Sequence, residues 1–202
     1  MASNVIELRT PQGREQLDEL LELVTIRCPE DIHDAAEVMA RVAQERGMQV
    51  AMCDDISSKE PMVDADGTVL NADIFRWLDD GARWWEDHRL ALYSPLPRAC
   101  RYESEPFWVN RHGFNTRWRN VYLEEIDLHD FEKRALCKAA IVIPVHLPFG
   151  QISANSFISM DRDKEDLSEE FAKFGSLFAQ LTRRFVAGYV QAIRTKRRIP
   201  SD

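Results

Sequence analysis

Two β-branched and apolar runs, Ala139 to His146 and Gln151 to Met160, flank the short segment Leu147-Pro148-Phe149-Gly150. Such runs favour extended backbone and the segment between them favours a reversal, so an antiparallel strand pair is predicted. After it, from about Ser168 to Arg198, Phe171, Phe174, Phe178, Leu181 and Phe185 recur at spacings of three and four. That periodicity predicts a long helix with one apolar stripe. Upstream, Leu17, Leu20, Leu21, Val24 and Ile26 suggest an amphipathic helix over Arg14 to Arg27 that stops before Pro29. A second helix is predicted from Pro29 to Gly47, with Ile32, Ala35, Ala36, Met39, Val42 and Ala43 on its buried face. Gln49 to Cys53 reads as a short strand and Asp66-Gly67 as a turn before Thr68 to Leu70. Ala72 to Tyr93 has helical spacing and ends at Ser94-Pro95-Leu96-Pro97, where two prolines forbid continuation; one more helix is expected within Phe114 to Lys138. This order predicts an α+β fold, an antiparallel sheet with helices packed on its faces.

With 202 residues and no internal repeat, the chain is expected to form a single domain spanning 1–202. Hydrophobic residues make up 45% and charged residues 30%, which excludes general disorder. The net charge of −8 argues against nucleic-acid binding over the whole surface. That charge is uneven: residues 171–202 carry a net +6 and residues 1–170 a net −14. In the absence of a partner motif, the cluster Arg194, Lys196, Arg197 and Arg198 reads as a solvated helix end, where cations complement the dipole. No apolar run is long enough to span a membrane and MASNVIELRT has no apolar signal core, so a cytoplasmic protein without membrane attachment is expected. Cys28, Cys53, Cys100 and Cys137 include no CxxC pair and read as free thiols.

Familiar reaction chemistry is weakly represented. Cys28 with His33 lacks the second ligand pair of a metal site. Cys100 with His88 or His112 is a formal nucleophile and base, but nothing in their spacing fixes a geometry. Asp161, Asp163, Glu165 and Asp166 resemble the start of a calcium loop without its glycine and terminal glutamate. There is no GxGxxG, P-loop or GxSxG. Neither catalytic residues nor a metal or cofactor are therefore expected. Aromatic density is the unusual feature: all five tryptophans fall within the 42 residues from Trp77 to Trp118, with Phe75, Tyr93, Tyr102 and Phe107 around them. An aromatic core accounts for any one of them. As a group beside a Ser-Pro turn they could wall an apolar ligand cavity, since indole offers broad apolar faces and one donor.

The stretch from Tyr93 to Ser159 resembles the N-terminal autoinducer-binding domain of LuxR-type quorum-sensing regulators. Ser94-Pro95 followed by Glu105-Pro106-Phe107-Trp108 is similar to the family's Asp-Pro turn and Pro-x-Phe-Trp segment. The segment from Ala140 to Phe157 is similar to its strand–loop–strand pattern, and Arg46-Gly47-Met48 occupies the place of its Leu-Gly-Phe. The resemblance implies an α/β/α sandwich related to GAF and PAS sensors, with an acyl homoserine lactone enclosed between sheet and helices. It places Trp108 at the lactone, Ser156 near the acyl carbonyl, and Trp85, or by a gap Trp77 or Trp84, at a pocket tyrosine. The chain departs from the family at Ser94, where the family's aspartate accepts the ligand amide N–H. It departs again at Leu136, Ala140 and Ser153, where the family has glycines. Only four residues follow Arg198, so no helix-turn-helix is expected.

These features lead to a sensor domain for a small apolar, acyl or aromatic ligand. Trp77, Trp85, Tyr93 and Trp108 are its candidate pocket residues, with Ser94 and Ser156 orienting a polar head. One alternative is a homodimer, or a mixed dimer with LuxR-type regulators, formed through the Phe171 to Phe185 stripe. The other is an enzyme of unrecognised type.

Overall fold

The computed structural model describes residues 10–58, 60–77 and 93–198, with side chains as far as 194. The described part is α+β: five strands form one antiparallel sheet in the order β1-β5-β4-β2-β3, with helices on both faces. The strands are β1 (Met48–Cys53), β2 (Phe107–Asn110), β3 (Gly113–Asn115), β4 (Ala139–His146) and β5 (Ile152–Ser159). The long helices are α1 (Pro11–Leu23), α2 (Ile32–Gln44) and α6 (Ser168–Arg198), and the short ones α3 (Pro95–Ala99), α4 (Val121–Glu124) and α5 (Phe131–Ala135).

The pleat sorts the chain into two cores. Register pairs Ile141 with Phe157, and both turn toward the layer built by α1, α2 and α6. There Phe157 stacks on Phe178 with ring centroids 4.1 Å apart. The neighbouring pair, Val142 and Ser156, turns to the other face, where Leu96, Ala99, Leu123, Phe131 and Ala135 of the short-helix layer pack with Phe107 of β2. Phe174, Phe178, Leu181 and Phe185 are buried in the first core. The α6 stripe thus packs against its own chain, which gives a dimer interface at this stripe no support.

Local departures from the expected elements have physical causes. Helix α1 starts at Pro11 because the Thr10 hydroxyl accepts from the Gly13 amide, 3.0 Å away. It stops at Leu23 rather than Arg27, which lets Val24 and Ile26 enter the core beside α6. Pro29–Asp31 is a separate 3₁₀ turn ahead of α2, and Gly47 ends that segment at φ +68°. The helix expected over 72–93 falls mostly outside the described residues; its described start is one π-helical turn, Leu70–Ile74. The single helix expected within Phe114 to Lys138 is instead α4 and α5, and the β2–β3 hairpin was not foreseen.

At Met52 the outer edge of β1 is met by a side chain. The Asn71 carboxamide accepts from the Met52 amide at 2.9 Å and donates to the Met52 carbonyl at 2.8 Å, the two bonds another strand would supply. Inside the sheet, Asn155 donates to the Ile143 carbonyl and to Ser153, whose hydroxyl in turn donates to the Cys53 carbonyl at 2.7 Å. Asp64, 3% exposed, accepts from the amides of Asp66 and Thr68 and lies 2.8 Å from Nδ1 of His33 on α2.

Two predictions follow from this packing. A Cβ at Gly188 of α6 would lie 2.7 Å from the Ile26 carbonyl oxygen, which is backbone; at Gly175 it would meet the Phe171 ring, a side chain that can turn. Gly188→Ala is expected to cost about 1–3 kcal/mol in urea unfolding. Gly175→Ala should stay within about 1 kcal/mol of the parent, because helix propensity offsets the contact.

The second concerns pH. The bond to Asp64 raises the His33 pKa, and His33 and the Thr68 and Asp66 amides hold that of Asp64 low against its burial. The His33 contribution to stability is full below its unfolded value of about 6.5 and fades as pH rises through the raised folded value. The Asp64 contribution is full above about 3.9 and fades as pH falls through the lowered one. Urea midpoints should therefore show the pair at full strength between about pH 4 and 6.5, and His33→Gln should flatten the loss on the alkaline side.

Candidate functional site: a hollow above the β1–β5 pair

Between the short-helix layer and the sheet lies a hollow of about 50 Å³, lined by twelve residues. Its floor follows from register. Ala51 of β1 pairs with Ser156 of β5, and Cys53 pairs with Ala154, so two adjacent cross-strand pairs carry only small side chains. Here the small side chains on neighbouring strands do not fill all the space beneath the opposite layer, and the hollow remains. Leu96 and Pro97, Trp77, and Leu136 form the walls.

Hydrogen bonds hold each wall in place. The Trp77 carbonyl accepts from Arg162, whose Nη2 also donates to Gln49 of β1, and the Trp77 amide donates to the Asn71 carbonyl. Ser94 precedes α3, whose first turn carries Pro95 and Pro97. The Arg134 guanidinium of α5, 19% exposed, ties both sides together. Its Nε and Nη2 donate to the Tyr93 carbonyl at 3.0 and 2.8 Å, while Nη1 serves the carbonyls of Asp127 and His129 and the Asp127 carboxylate.

The lining is apolar apart from Ser94, Ser156, Arg134 and the Cys53 thiol. Neither serine hydroxyl has a hydrogen-bond partner among the described residues, and Ser94 makes no capping bond to α3. Leu136 sits at φ +59°, a left-handed conformation that costs a residue with a Cβ about 1–2 kcal/mol. Backbone of this kind is where glycine is ordinarily used.

Of the six residues singled out from sequence, Trp77, Ser94 and Ser156 come together on this hollow. Trp108 does not. It pairs with Ile141 and packs against the α6-side core, so the sheet itself separates it from Ser156. Tyr93 contributes its carbonyl while its side chain is 63% exposed. Trp85 and Trp84 lie outside the described residues, and Trp118 is exposed. Of the described tryptophans, only Trp77 walls the cavity.

Sequence reasoning missed Arg134 and the small-residue floor, because both depend on register and on an irregular loop. Compared with known proteins, the chain matches no family model and no curated sequence.

The thiols illustrate what the site does not favour. Cys100 is buried and its pKa is pushed up by desolvation; Cys137 and Cys53 are pushed up to about 12 for the same reason. High-pKa thiols are poor nucleophiles. Among the described residues no three His, Cys, Asp or Glu side chains gather as a metal-binding group, and no helix is long and apolar enough to cross a membrane. Maleimide at neutral pH should label Cys28 first and Cys53 slowly. Cys100 and Cys137 should react only with unfolding, and rapid native labelling of Cys137, followed by mass spectrometry, would contradict the packing.

Proposed function

We propose that the chain is a small-molecule-binding sensor domain, similar in kind to the autoinducer-binding domains of LuxR-type regulators. Its ligand is small and apolar, acyl or aromatic, with a polar head. The observation that carries this reading is a largely apolar hollow whose few polar lining groups include two hydroxyls, Ser94 and Ser156, without a protein partner among the described residues. Ser156 is buried and Ser94 half-buried, and with no protein partner among the described residues both hydroxyls are free to bond a guest's polar head or water.

Size narrows the guest. One water needs about 10–15 Å³ measured in the same way, so 50 Å³ holds roughly three to five waters. A single ring or a short acyl chain matches that space, and anything longer requires the walls to part. Movement of the 93–97 turn or of α5 on binding is then the natural output, since Arg134 joins the two.

Titration with N-butanoyl homoserine lactone, benzoate and hexanoate, followed by tryptophan emission and thermal unfolding, tests the reading. Saturable binding of at least one is expected. Ser94→Ala and Ser156→Ala should each weaken it about three- to tenfold, the worth of one hydrogen bond. Ser156→Leu should abolish it by filling the floor. If the whole panel leaves both signals unchanged, the sensor reading fails.

A further inference from the structure

Resting on the ligand-binding reading above, we propose that the guest carries a carboxylate and that Arg134 receives it. The lining holds one cationic side chain and no Asp or Glu, while the two serines can each donate. A head group that only accepts hydrogen bonds is therefore matched at three points. An amide N–H finds no anionic acceptor, because the turn position is Ser94.

The bonding of Arg134 leaves capacity for this role. A guanidinium has five N–H groups. Nε and one Nη2 proton go to the Tyr93 carbonyl, and both Nη1 protons serve the Asp127–His129 loop. The second Nη2 proton has no acceptor among the described residues. The guanidinium is fixed by four-fifths burial and by carbonyls on two loops, so little side-chain freedom is lost when an anion arrives. Asp127, itself 67% exposed, offsets the charge only from the solvent side. Charge-assisted bonds of this kind are roughly twice as strong as neutral ones.

Calorimetry on the full chain with matched pairs decides the matter: benzoate against benzamide, and hexanoate against hexanamide. In the parent protein each acid should bind at least tenfold tighter than its amide, and the gap should narrow with added salt. Arg134→Met should bring the two within about threefold, with amide affinity serving as the control for an intact cavity.

Because Arg134 also holds the Tyr93 carbonyl, a second variant leaves that tie untouched. Ser94→Asp, which sets a carboxylate beside the site, should lower acid affinity more than tenfold and lower amide affinity by no more than Ser94→Ala does. Equal binding of acid and amide, or preference for the amide or for N-butanoyl homoserine lactone, overturns the carboxylate assignment and leaves the cavity reading standing. Binding of none of these compounds overturns both.

Discussion

The register between β1, β5 and β4 is the constraint on which the rest of the molecule depends. Side chains alternate along a strand, so the ladder that sets Phe157 beside Ile141 also sets Ser156 between Ala51 and Val142. One face receives large rings for α6 to cover, and the other carries, beside the second core, a patch of small groups that leaves the hollow. A slip of one residue would exchange the two faces, burying Ser156 beneath α6 and pushing Phe157 into the hollow. Core and cavity are in that sense one choice, made once by the hydrogen-bonded ladder and stabilised by the Phe157–Phe178 stack.

The regular parts of this structure were legible in the residues. Strands β4 and β5 announce themselves by long β-branched runs, and α6 by aromatic recurrence at three and four, so the expected bounds and the observed ones nearly coincide. The segment between Phe107 and Leu136 was not legible in the same way. Its strands have four and three residues and its helices four and five, too short for any periodicity to show. Two turning points there, Asp130 at φ +52° and Leu136 at φ +59°, use left-handed backbone without the glycine that would signal it.

The hollow was half legible. Ser94 and Ser156 stood out through resemblance to a family pattern, and Trp77 through aromatic density. Trp108 stood out by the same route and lies across the sheet, because a motif in one strand gives no facing until its register is known. Arg134 had no signature at all: an arginine on a five-residue helix becomes informative only when two loops converge on it. Leu136 has left-handed backbone, the conformation that glycine adopts without cost. Its isobutyl group then takes up wall space that a glycine would leave free, which helps to explain why the hollow is small.

The bidentate bond between Asn71 and the Met52 backbone has a consequence for how the molecule behaves in a crowd. Exposed strand edges offer other chains a template, and sheets that leave them bare tend to stack edge to edge. A carboxamide has the donor and acceptor of a peptide group but no chain to continue the ladder. On this flank, one asparagine occupies at Met52 the donor and acceptor that a neighbouring molecule's strand would use.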